Sequence, residues 1–467
     1  MNVRLKFLGA AQSVTGSKYL LEFFDHTKIL VDCGLFQGQK ELRLRNWDRL
    51  PLDPSTLELV LITHAHIDHI GYLPRLVKEG FRGKIYCTDA TADLMQIMLK
   101  DAAKLQEEEA QFAFKKGYSK HSKPEPLFTE KDAERVFPLI ERVTLKKTVS
   151  LAKGVQVRFL NAGHILGSAL LEITVNTHQH AKKIVFSGDL GRYNDPIMNH
   201  PHELEEADIL LVESTYGDRL NPIDQVEADL ITIVQDTLAR SGVIIIPAFA
   251  VGRTQTLIYH FHELMQKRLI PELPIYIDSP MAIDVTDLYE RHHDHHKINV
   301  EHRDGRLLSI FDTSNIHFCH TPQQSKALNE IKQSAIIISA SGMATGGRIL
   351  HHLYHRMRNE SDTVLLAGFQ AEGSRGRRLQ DGEPVIKIFG EEVPVRCQVR
   401  TLHGLSAHAD QGELMKWLSN FKESPKLTFI THGEPASAGV LANKIEAMGW
   451  KVIIPEYLES FELFSGL

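Results

Sequence analysis

The stretch Leu61-Ile-Thr-His-Ala-His-Ile-Asp-His-Ile70 packs His64, His66, Asp68 and His69 into six residues. Before it runs Leu57-Glu-Leu-Val-Leu-Ile62, an apolar segment that reads as a buried strand. The cluster is therefore expected on the loop leaving the C-terminal end of a strand, where α/β folds carry their chemistry. Neutral imidazole and carboxylate suit zinc, iron or manganese. One loop cannot easily wrap four donors around one ion. The expected geometry is two ions, with His64 and His66 facing one and Asp68 and His69 the other. A solvated loop with incidental histidines is the competing reading. The density of donors and the strand before them speak against it.

Further donors follow other apolar runs. His164 ends Asn161-Ala-Gly-His164 after Val155-Gln-Val-Arg-Phe-Leu160, Asp189 ends Val185-Phe-Ser-Gly-Asp189, and His432 lies in Phe429-Ile-Thr-His432-Gly-Glu434. Each sits beside a glycine, which lets the backbone turn sharply and approach an ion. A carboxylate such as Asp189 can bridge two cations, one oxygen to each; an imidazole has a single free lone pair.

These motifs resemble the metal motifs of the metallo-β-lactamase fold. Asp32, in Ile29-Leu-Val-Asp32-Cys-Gly34, matches that fold's first motif. The later motifs resemble those of the β-CASP nucleases. Val212-Glu213-Ser-Thr-Tyr-Gly217 is similar to motif A, Leu405-Ser-Ala-His408-Ala-Asp410 to motif B and Thr431-His432-Gly-Glu434 to motif C. Pro247-Ala-Phe-Ala-Val-Gly-Arg253, Ser339-Ala-Ser-Gly-Met-Ala-Thr-Gly-Gly347 and Gly368-Phe-Gln-Ala-Glu-Gly373 fit as well. The similarity is to bacterial and archaeal ribonucleases related to RNase J and to the pre-mRNA 3′-end cleavage endonuclease.

The resemblance implies an α/β fold: a metallo-β-lactamase αββα sandwich with an inserted β-CASP α/β domain. The expected boundaries are 1–214 and 379–467 for the first domain and 215–378 for the insertion. At 467 residues, more than one core is expected in any case. Strands read at 3–9, 18–23, 28–32, 57–62, 84–87, 155–160, 169–174 and 183–187, and a helix from Thr91 to about Phe114. In the insertion Val243-Ile-Ile-Ile246, Ile275-Tyr-Ile277, Ala335-Ile-Ile-Ile338 and Val364-Leu-Leu366 alternate with helices, which implies a parallel sheet.

Composition narrows the class. No apolar run reaches membrane-spanning length, and the N-terminus lacks a signal-peptide profile. The first metal motif begins almost at once, so no RNA-binding module is expected before it. Cys33, Cys87, Cys319 and Cys397 lack CxxC spacing, which predicts free thiols and a cytoplasmic protein. A net charge of −6 argues against broad non-specific nucleic-acid binding, not against a nuclease that grips substrate in a cleft. The basic stretch Lys115–Pro124 reads as a solvated loop, with RNA contact as a secondary role. Arg291-His292-His-Asp-His-His296 reads as a solvated helical segment, and His351, His352 and His355 as helix surface or cleft wall.

The resemblance implies zinc-dependent hydrolysis of RNA phosphodiester bonds, in RNA processing or decay. Two Zn²⁺ per chain are expected, with manganese or iron able to fill the same donors. His64, His66 and His164 would hold one ion, Asp68, His69 and His432 the other, and Asp189 would bridge. A hydroxide between the ions would attack phosphorus. The catalytic set is Asp68, His408, Glu213 and Asp32: His408 as general acid, Glu213 holding its imidazole, and Asp32 orienting a ligand or the water. His432 would be held by Glu434 or a backbone carbonyl. Its presence at motif C resembles RNA-acting members; DNA-acting relatives such as Artemis usually carry valine there. The products would carry 5′-phosphate and 3′-hydroxyl ends, by endo- or 5′-exonucleolytic cleavage. Single-stranded RNA is the expected partner, at the domain junction, and a homodimer stays open. Ser341, Gly342, Thr345, Gly346 and Arg348, with Arg253, Arg375 and Arg377, are the candidate phosphate-binding residues. A small-molecule thioesterase or lactonase on the same fold is the alternative. The Glu213/His408 pair and the inserted domain speak against it.

Overall fold

The computed structural model describes residues 3–23, 25–116, 124–176, 181–221, 225–298, 301–303, 306–311 and 313–464. Of the basic stretch Lys115–Pro124, residues 117–123 lie outside them. The chain divides into two compact units. Unit 1 comprises Met1–Tyr193, Asn199–Leu220 and His408–Leu467; unit 2 comprises Asn194–Met198 and Asn221–Ala407.

Unit 1 is built on two seven-stranded sheets. The first has the order Ser460–Glu462, Val3–Phe7, Tyr19–Phe23, Lys28–Val31, Leu59–Leu61, Lys84–Thr88, Ile140–Val143. The second runs Val452–Ile453, Leu427–Thr431, Ile209–Glu213, Ala181–Phe186, Ala169–Asn176, Val155–Asn161, Thr148–Ala152. Their facing sides share one core. Leu5, Phe7, Leu21 and Val31 of the first meet Phe159, Leu171, Ile184 and Phe429 of the second. Phe429 sits between Phe7 and Phe461, with ring centroids 5.2 and 4.9 Å away. Truncating such a ring to alanine costs about 3–5 kcal/mol.

The outer faces carry helices. Leu160, Leu170, Leu210 and Val212 pack against Trp417, Leu418, Leu441 and Ile445 of the helices Gln411–Leu418 and Pro435–Ala447. On the other side Leu73, Leu76, Leu94, Met95 and Leu99 are buried on the helices Leu73–Lys78 and Asp89–Lys116. Lys28–Val31 and Leu59–Leu61 are covered on both faces, which explains their unbroken apolar sequence. This is the expected αββα sandwich.

Unit 2 contains a six-stranded parallel sheet in the order Ile316–Phe318, Ile275–Ile277, Ile336–Ser339, Ile244–Pro247, Thr363–Leu366, Gln398–Thr401. Four of these strands were legible as apolar runs; Ile316–Phe318 and Gln398–Thr401 were not. The last pairs with Thr363–Leu366 and keeps the chain in unit 2 until Ala407, beyond the return at 379 read from the sequence. The histidine run also differs from expectation. His295 and His296 are buried, and the His296 ring reaches the Tyr289 carbonyl at 2.7 Å. His352 is fully buried, hydrogen-bonded to Asp278 at 2.7 Å and Asn329 at 3.0 Å, and lies on neither a helix surface nor a cleft wall. All four cysteines are buried free thiols.

Candidate metal centre and its acid pair

The site gathers at the C-terminal ends of strands from both sheets of unit 1. Asp32 follows Lys28–Val31, and the first His/Asp cluster follows Leu59–Leu61. His66 precedes the short helix Ile67–Ile70, which carries Asp68 and His69. His164 follows Val155–Asn161, Asp189 follows Ala181–Phe186, Glu213 ends Ile209–Glu213 and His432 follows Leu427–Thr431. Glu213 and Thr431 are register partners on adjacent parallel strands, so motifs A and C are neighbours. Asp32 and His432 have φ of 57° and 49°, a left-handed backbone rare for residues with a Cβ. Glycine is required at two close approaches. A Cβ on Gly34 would lie 1.5 Å from the Asp68 carbonyl oxygen, and one on Gly191 would lie 1.8 Å from that of Gly163. The first contact seats the Asp68 loop; the second presses the His164 loop against the Asp189 loop.

The seven expected donors form two adjoining groups. His66 Nδ1 lies 3.1 Å from His64 Nε2 and 3.2 Å from His164 Nε2. His69 Nε2 lies 3.3 Å from His432 Nε2, which lies 3.4 Å from Asp68 Oδ2. Asp189 stands between them. Its Oδ2 is 3.3 Å from His64 Nε2 and 3.6 Å from His164 Nε2; its Oδ1 is 3.4 Å from His69 Nε2 and 3.5 Å from His432 Nδ1. Asp189 is buried, and its Oδ1 accepts no hydrogen bond from the described residues. An unsatisfied buried carboxylate oxygen among imidazole nitrogens is costly, and a cation would relieve it. The donors therefore fit metal ions. Burial pushes the Asp189 carboxyl up. Burial also pushes His64 and His66 down, His66 to about 4, which leaves their lone pairs available. His69 behaves oppositely. Burial opposes its charge, but Asp189 and Asp32 outweigh that and lift it to about 10, so an ion bound there would have to displace a proton.

Asp32, read from the sequence, and two threonines that the sequence reading missed orient these donors. Asp32 accepts hydrogen bonds from the Thr63 amide at 2.8 Å and hydroxyl at 2.8 Å, and meets His69 Nδ1 at 2.8 Å. Thr63 Oγ1 also lies 3.1 Å from His64 Nδ1. Thr215 Oγ1 lies 3.1 Å from His432 Nδ1. Thr215, not Glu434, thus holds His432; Glu434 stands at the N-terminal end of the helix Pro435–Ala447 without a side-chain capping hydrogen bond. The signal for both threonines was their place beside a motif residue, Thr63 before His64 and Thr215 two after Glu213.

His408 completes the centre. Its Nδ1 lies 3.2 and 3.3 Å from the two Glu213 oxygens, and its ring centroid 4.4 Å from that of His164. Glu213 is buried and also accepts from the Leu190 amide at 2.7 Å and the Thr215 amide at 3.2 Å. Its oxygens come within metal-ligand range of Asp189 and His432. They are committed to His408 and two amides, which makes Glu213 a holder of the imidazole. Burial pushes His408 down, but the charge and hydrogen bond of Glu213 outweigh it and lift His408 to about 9. The same pairing holds Glu213 down against its burial. Asp410, two residues after His408, anchors the start of the next helix. It caps the helix Gln411–Leu418 in a capping box with Glu413, and buried Arg192 donates to Glu413 at 3.0 Å. The Asp410-x-x-Glu413 spacing carried that signal.

The candidate phosphate-binding residues lie in unit 2, and most of their side chains already have partners. Arg348 donates to Asp278 at 2.7 Å and to the Cys319 carbonyl at 2.8 Å. Arg375 donates to the Lys387 and Thr345 carbonyls at 2.9 and 3.2 Å. Arg253 donates to the Ala367 carbonyl, and Arg377 to both Asp381 oxygens at 2.9 Å. Ser341 and Thr345 close on each other, hydroxyl to hydroxyl at 3.0 Å. Gly342 packs against Phe249, and Gly346 faces open space.

Comparison with known proteins agrees with this architecture. A metallo-beta-lactamase superfamily domain matches residues 20–211, a Beta-Casp domain 254–379 and a Zn-dependent metallo-hydrolase RNA specificity domain 392–455. Ribonuclease TTHA0252 of Thermus thermophilus is 34% identical over 98% of this chain and 99% of its own length. An RNase J-like protein of Methanocaldococcus jannaschii is 28% identical over 98% of both chains. The transcription termination factor FttA of Methanosarcina mazei is 31% identical over 95% of this chain and 69% of its own. A crystal structure of an Enterococcus faecalis protein of unknown function shares the fold, with a TM-score of 0.56 at 14% identity over 99% of this chain and 100% of that one. Among the described residues, no helix is long and apolar enough to cross a membrane. A seven-donor His/Asp cluster at the strand ends, joined to the matched domains and to relatives along nearly the whole chain, shows that this chain is a metal-dependent hydrolase belonging to the β-CASP ribonuclease family of the metallo-β-lactamase superfamily.

Proposed function

We propose that the chain hydrolyses phosphodiester bonds of single-stranded RNA, with two zinc ions per chain. The observation that carries this reading is His408, held charged by buried Glu213 at the rim of the seven-donor cluster. An acid poised there serves a poor leaving group such as a ribose alkoxide. The matched RNA specificity domain and the relatives named as ribonucleases support RNA as the substrate class.

His64, His66 and His164 would hold one ion and Asp68, His69 and His432 the other, with Asp189 shared. Zinc bound there supplies Lewis-acid stabilisation of phosphoryl charge and a nucleophile at neutral pH. The protein's own groups do the rest. Asp32 takes the Nδ1 side of His69 and turns Nε2 toward the centre. Thr215 orients His432 likewise. Glu213 takes His408 Nδ1, so the proton at Nε2 is the one delivered to the leaving ribose 3′-oxygen. The RNA fragments then carry 5′-phosphate and 3′-hydroxyl ends.

The test is a matched pair of single-stranded RNA and DNA oligonucleotides of one sequence, incubated with zinc-saturated protein, with product ends identified by mass. Preferential RNA cleavage with those ends is expected. Equal or faster DNA cleavage refutes the ribonuclease assignment. Hydrolysis of thioesters or lactones with neither nucleic acid cut favours the small-molecule alternative.

A further inference from the structure

The segment Gln37-Gly-Gln-Lys-Glu-Leu-Arg-Leu-Arg-Asn-Trp-Asp-Arg-Leu50 takes no part in the centre described above. It leaves the strand end that carries Asp32. It holds four basic and two acidic side chains in a chain whose net charge is −6. The helix Lys40–Leu44 within it buries no residue. Leu44 and Trp47 are 55% and 52% exposed. Lys40, Arg43 and Arg49 are also exposed, and none makes an ion pair among the described residues.

The base of the segment is firmly held. Buried Asn46 accepts from the Phe36 amide at 2.9 Å and donates to its carbonyl at 2.8 Å. The Arg45 guanidinium lies over the Tyr457 ring at 4.3 Å, and Lys18 over the Phe36 ring at 4.5 Å. Arg75 lies 5.8 Å from the Trp47 ring and donates to its carbonyl at 3.4 Å. A tryptophan kept for stability would be buried, since its value lies in the area it removes from water. This one is presented on an anchored turn, Arg45–Trp47, that follows directly on the helix carrying Arg43.

We propose that Arg43, Trp47 and Arg49 form a docking surface for single-stranded RNA, with Trp47 stacking on a base and the two arginines meeting flanking phosphates. Charge complementarity selects the occupant: unpaired cations around an exposed aromatic ring suit a polyanion whose bases offer π faces. RNA as the polyanion rests on the ribonuclease reading above.

The chain itself supplies the probe. Of its three tryptophans, Trp417 is 1% and Trp450 8% exposed, so quenching by a bound base reports Trp47. Zinc-loaded protein is titrated with a short 2′-O-methylated single-stranded oligonucleotide, whose integrity is checked afterwards. Saturable quenching is expected. Trp47→Ala should weaken affinity about five-fold or more, measured by anisotropy of labelled oligonucleotide. Trp47→Phe should restore affinity without the fluorescence signal. Arg43→Glu with Arg49→Glu should flatten the log–log salt slope by about 1.4, at about 0.7 for each of the two phosphates no longer neutralised. No quenching, or a Trp47→Ala variant with unchanged affinity, overturns the proposal. Equal binding of polyglutamate overturns RNA as the occupant. RNA cleavage without quenching refutes this surface and leaves the ribonuclease reading intact. Quenching, with no cleavage of unmodified RNA of the same sequence, keeps the surface and refutes that reading.

Discussion

Replacing Glu213 by glutamine tests the acid pair most directly. Glutamine keeps the size and can still accept from the Leu190 amide, so the loop geometry should survive. What it removes is the charge 3.2 Å from His408 Nδ1. With that charge His408 sits at about 9, against an ordinary 6.5. Without it only the more distant charges of Asp189 and Asp68 still oppose burial, and the imidazole should fall. A fall from about 9 all the way to about 6.5 would take the charged fraction at pH 7.5 from about 97% to about 9%, so cleavage should slow by up to about ten-fold. The loss should shrink as pH falls towards 6, where most of the imidazole is charged again. The assay is the pH profile of kcat/KM for zinc-saturated wild type and variant on one RNA. The descending limb of the variant should lie at lower pH than that of wild type. Stability follows the same sign. The raised His408 value contributes fully below about 6.5 and fades as pH rises through 9, so wild type should exceed the variant most at mildly acidic to neutral pH. A rate loss of equal size at every pH, or a limb that does not move, would refute this assignment of Glu213 and His408.

Further outcomes are expected at the metal centre and in unit 2. Elemental analysis should find two transition-metal ions per chain, and Asp189→Ala should lower that number because both donor groups face its carboxylate. Since His69 without an ion sits at about 10, metal affinity measured by chelator competition should rise with pH; a flat profile counts against His69 as a ligand. His408→Ala should slow cleavage on the order of 10²–10⁴-fold while retaining its metal, and loss of an ion would make His408 a ligand instead. Arg348→Ala should destabilise unit 2 by about 1–3 kcal/mol in a denaturant melt, because it leaves the fully buried Asp278 short of a charged donor. Weaker RNA binding with unchanged stability would instead make Arg348 a direct phosphate contact.

How much of this could be read from the chain alone depends on how local each signal was. The two-ion cluster was legible because His64, His66, Asp68 and His69 are adjacent and follow an apolar strand. Strands covered on both faces, such as Ile336–Ser339, announced themselves as unbroken aliphatic runs. Gln398–Thr401 did not, because an edge strand has partly exposed residues on its flank and no such run. That one pairing sets where the chain leaves unit 2.

Side-chain commitments were the least visible. Arg348 and Arg375 read as free cations beside a glycine-rich turn; only the fold shows their guanidinium groups spent on Asp278 and on backbone carbonyls. His352 likewise looked exposed on a helix, yet Asp278 from a distant strand end requires it in the interior. The sequence by itself determined the donor types, their order and the elements that present them, since strand periodicity and motif spacing are local. Tertiary structure alone decided which oxygen of Asp189 faces which histidines, that Thr63 and Thr215 aim the imidazoles, and that Glu213 reaches His408 from 195 residues away. Hydrogen bonds form over about 3 Å, and residues far apart in the chain come that close only when the sheets have paired and packed.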